Sequence, residues 1–104
     1  MARDNMRYFE AKVLVPMRSS WSAQGQWEGL LLRLYGGFHQ GPSVQGQTCR
    51  WGKERMLPYH VAFDLSDTAD VSLKLGPIAR AVKDIFGEEA VYIAVTELAA
   101  PFIC

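Results

Sequence analysis

The chain has 104 residues, 49% of them hydrophobic and 21% charged, which is the size of one domain and too apolar for a disordered chain. Lys plus Arg and Asp plus Glu are 11 each, so the formal net charge is zero. No net field steers the protein onto phosphate, which argues against nucleic acid as a direct ligand, and no apolar run approaches the roughly 20 residues that span a bilayer.

From Arg7 to Val15, the apolar Phe9, Ala11, Val13 and Val15 alternate with Tyr8, Glu10, Lys12 and Leu14. This period of two predicts a half-buried first strand. Pro16 removes a ladder donor, and Ser19, Ser20 and Ser22 offer oxygens to cap the orphan amides of a helix. Ala23, Trp27, Leu30, Leu31 and Leu34 then recur at spacings of three and four, a face that covers the sheet, and Gly36-Gly37 supplies a helix-ending positive φ.

Phe38 to Gln47 reads as a loop, Val44 to Trp51 as a second strand, and Gly52-Lys53 as the turn into a third. In the third strand Tyr59, Val61, Phe63 and Leu65 point one way, and His60, Ala62 and Asp64 the other. Pro58 cannot donate to a central ladder, so the strand is expected to start at Tyr59 or to carry a bulge at Leu57-Pro58. Ser66, Asp67, Thr68 and Asp70 are turn chemistry, and Pro77 suits the first turn of a second helix bearing Ile78, Ala79, Val82, Ile85 and Phe86 on one face. Gly87 ends that helix, Ala90 to Thr96 forms the fourth strand with Val91, Ile93 and Val95 inward, and Leu98 to Cys104 is an apolar tail.

The order strand, helix, strand, strand, helix, strand predicts one α+β domain over residues 1–104. The expected fold is a ferredoxin-like βαββαβ sandwich, a four-stranded antiparallel sheet with two helices on one face.

The runs Leu34-Tyr35-Gly36-Gly37-Phe38, Val44-Gln45-Gly46-Gln47, Glu54-Arg55 and Asp84-Ile85-Phe86-Gly87-Glu88-Glu89-Ala90-Val91 carry a further signal. On these residues the segment from Leu34 to Phe102 resembles a family of small uncharacterised bacterial and phage or plasmid domains. Such domains share an aromatic-ended helix, a Gly-Gly-Phe-Thr-like loop, a Gly-Gln-Trp-like strand and a late helix ending in Phe-Gly. His39 stands where that family usually carries Thr, and the tryptophan is delayed to Trp51. The resemblance implies a ferredoxin-like fold and brings no catalytic residue with it.

Chemistry is sparse. His39 and His60 are the two histidines, and a metal site needs a third ligand from Asp64, Glu54 or Cys49; no ligand spacing supports one, so neither metal nor cofactor is expected. Cys49 beside His60 reads as a buried thiol rather than a nucleophile, and no catalytic residue is assigned. The glycine-rich stretch from Gly36 to Ser43 follows a helix, whereas phosphate loops precede one, so it reads as a helix stop and a surface loop suited to recognition. Arg50, Lys53 and Arg55 read as a solvated hairpin tip, and Trp21 and Trp51 as interface anchors if exposed. The candidate binding residues are therefore Phe38, His39, Gln40, Trp51, Glu54, Arg55 and His60.

Two distant cysteines and a start without an apolar signal region predict a cytoplasmic protein with free thiols. The functional expectation is a non-enzymatic accessory protein of a bacterial or mobile-element system. It binds a protein partner, with a homodimer as one form, and in its most specific version is a phage or plasmid inhibitor of a host defence complex, of the anti-CRISPR kind. The alternatives are a dimeric α+β-barrel enzyme or small-ligand binder, with His39, His60 and Tyr59 lining its pocket, and a structural subunit of a phage or plasmid assembly that uses the tail.

Overall fold

In a computed structural model the chain is a small α+β domain in which two helices pack on an antiparallel sheet of five strands. The structure describes residues 6–17, 20–48, 52–66, 69–88 and 90–98. Strand β1 (Met6–Pro16) lies between β4 (Gly52–Ser66) and β5 (Tyr92–Leu98), and the outer edge of β4 carries β2 (His39–Gln40) and β3 (Val44–Thr48) in tandem. Helix α1 (Trp21–Tyr35) follows β1 and α2 (Ser72–Phe86) follows β4.

The alternation read in β1 is what the fold uses. Phe9, Ala11, Val13 and Val15 are buried and pair with Phe63, Val61, Tyr59 and Leu57 of β4. Trp27 and Leu31 of α1 and Ile78 and Val82 of α2 close over this row in one core cluster, so both helices lie on the same side of the sheet. Stacked Phe9 and Phe63 rings, 5.6 Å apart, and edge-on contacts of Trp27 with Tyr59 and Phe86 fill its centre. Ser20 accepts a hydrogen bond from the Ala23 amide at the start of α1, and Gly36 ends the helix at φ 76°, a left-handed conformation that a side chain would strain.

Several expectations change. The stretch from Phe38 to Gln47 contains β2 and the start of β3, so the sheet has five strands rather than four. Gly52 and Lys53 are the first residues of β4 and not a turn, and β4 runs unbroken through Pro58. The reason lies in the direction of one donor. Gly41 N–H bonds to Pro58 C=O at 3.0 Å, and the N–H and C=O of a strand residue point the same way, so the amide proline lacks would have faced the outer edge and not β1. From that bond to the Val44–Met56 pair the edge strand takes three steps where β4 takes two. The bulge expected at Leu57-Pro58 is therefore not in β4; the extra residue belongs to the edge strand, where it separates β2 from β3.

Helix α2 begins at Ser72, with the Asp70 carboxylate accepting from the Ser72 amide at 3.0 Å, so Pro77 sits inside the helix rather than in its first turn. The carbonyl that Pro77 cannot serve is that of Leu73, a residue 72% exposed at the solvent side of the helix's first turn. Strand β5 starts at Tyr92 and ends at Leu98, two residues later at each end than expected; Val91 still packs on the core, and Val95, at the sheet edge, is 37% exposed. No helix among the described residues is long and apolar enough to cross a membrane.

Candidate functional site

The two faces of the sheet sort the candidate residues. On the face without helices, the β1–β4 and β1–β5 registers set Glu10, Lys12 and Leu14 beside Ala62, His60 and Pro58 on one flank and beside Thr96, Ala94 and Tyr92 on the other. β2 adds His39 directly opposite His60. The two imidazoles stack, with centroids 4.6 Å apart and planes 6° from parallel. Glu10, the diagonal neighbour of His60, brings Oε1 to 3.2 Å from His60 Nδ1. One donor atom from each of Glu10, His39 and His60 thus lies within 4.8 Å of the other two.

Local sequence makes this geometry. The bulge after β2 keeps His39 and Val44, an odd and an even position, on the same face of one edge. Gly41 leaves room at the ring: a Cβ there would come 3.4 Å from His60 Nε2 and 3.1 Å from Pro58 Cγ.

A second polar cluster sits under the helices. Tyr59 is fully buried, and its hydroxyl donates to Glu28 Oε2 at 2.6 Å while accepting from Gln24 and Gln40 at 3.2 and 3.3 Å. Burial, and then the Glu28 hydrogen bond, push the Tyr59 pKa up to about 12. Phe38 packs its ring 5.4 Å from that of Tyr59. The cluster joins β2, β4 and α1 with its hydrogen bonds internally satisfied, which is the arrangement of a structural network. Beside it, Trp27 Nε1 is buried without a hydrogen-bond partner among the described residues.

The candidates read from sequence are therefore divided. His39 and His60 meet on the open face, whereas Phe38 and Gln40 turn to the helix side and contact Tyr59. Arg55 is exposed, with Nη1 3.4 Å from Ser43 Oγ, and Glu54 stands in β4 opposite Gly46. Trp51, Cys49, Arg50 and Cys104 lie outside the described residues. Tyr59 cannot share a pocket with the histidines, because it points to the opposite face. The carboxylate beside the histidines is Glu10 rather than Asp64, and sequence reading missed it; the side chain of Glu54 lies outside the described structure. The signal was present, since Glu10 and His60 both fall on the polar side of their alternations, but the β1–β4 register is needed to make them neighbours. Trp21, at 93% exposure, is the first residue of α1, and a groove of about 590 Å³ between the helices is lined by Gly25, Gly29, Arg33 and Asp84 among others.

No protein-family model matches the chain, and no curated protein matches it in sequence.

Proposed function

We propose that the chain is a non-enzymatic binding domain that holds a protein partner on the open face of its sheet, and that its plan is ferredoxin-like. Strand order supports the plan. With β2 and β3 taken as one bulged strand, the elements run βαββαβ, with the first strand between the third and the last. The family resemblance of the segment after Leu34 points the same way, and is what suggests a bacterial or mobile-element setting.

The carrying observation is the contrast in cover. Both helices lie on one face, while the other presents Tyr8, Leu14, Tyr92 and Leu98 around Glu10, Lys12 and His60. Tyrosines and aliphatic side chains surrounding a few charges are the make-up of a protein-binding patch, where amphipathic rings supply area and charges set orientation. The pocket of a dimeric barrel would form on this same face, but it would lack Tyr59.

A photo-crosslinking side chain at Ala62, exposed in the middle of the open face, tests the reading against one at Leu32, exposed on α1. Discrete protein adducts from position 62 and none from 32, in cells of the source, support it. Adducts from 32 alone would move the interface to the helices and overturn it.

A further inference from the structure

The open-face trio has a chemistry that partner binding does not require. Two imidazoles and one carboxylate, from three different strands, converge within 4.8 Å. We propose that Glu10, His39 and His60 form a binding site for a divalent transition cation, with Zn²⁺ as the reference ion and solvent completing the coordination.

Donor type selects the class. Imidazole nitrogen suits zinc, nickel, cobalt and copper, whereas magnesium and calcium require shells of oxygen. Three protein ligands plus water is a regular tetrahedral arrangement for zinc. With bonds of about 2.0–2.1 Å, two ligands of one tetrahedral zinc lie about 3.3 Å apart. Glu10 Oε1 and His60 Nδ1, at 3.2 Å, already have that separation. His39 completes the set by turning its ring out of the parallel stack and drawing inward its donor atom, which lies no more than 4.8 Å from the other two. It is exposed, on a strand of two residues, and the missing Cβ of Gly41 lets the facing ring adjust.

Ligation by two imidazoles also restricts when the site can form. Both rings must be neutral to offer lone pairs, so protons compete with the ion. Glu10 supplies negative charge, and Lys12, paired with His60 across β1 and β4, supplies the opposing positive charge. Asp64 lies on the same face of β4 further along the strand. A bound ion would tie β2 to β1 across β4, fixing the short edge strand through side chains as well as through its ladder.

The site can be tested on the full chain with Cys49 and Cys104 both replaced by serine, which removes thiolate ligands. Isothermal titration with Zn²⁺, and with Co²⁺ followed by its visible absorption, should give one ion per chain. His39→Ala and His60→Ala should each weaken binding by about tenfold or more, since even the loss of an outer-shell partner commonly has that effect. Lys12→Met should strengthen it by roughly threefold to tenfold, by removal of a nearby positive charge. With two histidines in the chain, their ring resonances give a separate readout: Zn²⁺ should shift both sets and no others strongly. His39→Asn serves if the alanine variant unfolds, as judged by circular dichroism. Absence of Zn²⁺ and Co²⁺ binding, or binding unchanged in the His39→Ala/His60→Ala double variant, would overturn the proposal. Neither result bears on the crosslinking test of the open face.

Discussion

The two faces of this sheet come from the same strands, residue by residue in alternation, yet they obey different rules. On the covered face, Ala11, Val13, Val15 and Val61 are at most 1% exposed, and each is confined by the helices above it. On the open face, Tyr8, Glu10, Lys12, Leu14 and His60 are only partly covered, and their neighbours are other side chains of the sheet. Burial is concentrated on one side, which leaves the side chains of the other only partly covered.

The largest test of this division is Trp27→Ala. Trp27 is fully buried between Tyr59 and Phe86, and its truncation should cost about 3–5 kcal/mol, read as a large drop in the urea midpoint. A loss below 1 kcal/mol would show that the covered face is not where stability resides. Tyr59→Phe should cost less, about 1–3 kcal/mol, because it leaves Glu28 and Gln40 without the hydroxyl they share. The same hydroxyl gives the covered face an alkaline weakness. Burial holds the pKa of Tyr59, and that of Tyr35, near 12, above the value of 10.0 taken for the free side chain. The folded state thus keeps its protons longer than the unfolded one. The stabilisation should be complete below pH 10 and lost as pH rises towards 12, and unfolding curves of Tyr59→Phe and Tyr35→Phe should decline less over that window.

Open-face changes should be milder. Ala62→Lys, on an exposed position, should stay within about 0.5 kcal/mol in the same unfolding measurement. Smallest of all, and exposed although its register places it on the covered side, is the Arg7–Glu97 pair, in which Nε and Nη2 donate to the carboxylate at 2.9 and 2.7 Å. Arg7 lowers the Glu97 pKa, so the pair contributes above the usual carboxylate range and loses its contribution as pH falls through it. Both groups are exposed, and Glu97→Gln should leave a midpoint difference that fades with added salt.

The covered face was legible in sequence because its rule is local. Alternation from Phe9 to Val15 and from Tyr59 to Leu65, and the spacing of Trp27 and Leu31, name their own inner sides, and the expected caps of α1 stand at Ser20 and Gly36. The edge was not legible. Pro58 is a ladder breaker only on the side towards which its amide would point, and that direction depends on which neighbour it pairs with. β2 is too short for any period to show, and the nearness of Glu10 to His60 follows from register across 50 residues of sequence. Two of the three candidate site residues, His39 and His60, could thus be named in advance, but the carboxylate and the geometry could not.

The broken edge also bears on how the protein keeps to itself in a crowded solution. A strand arriving at the β2–β3 side meets two residues, a bulge, and then five more, so it cannot zip up a long ladder there. β5 offers seven residues in an unbroken row, with β1 on one flank as its partner among the described residues. Growth by main-chain pairing, whether into an ordered assembly or into an aggregate, is therefore disfavoured at the bulged edge of the sheet and easier along β5.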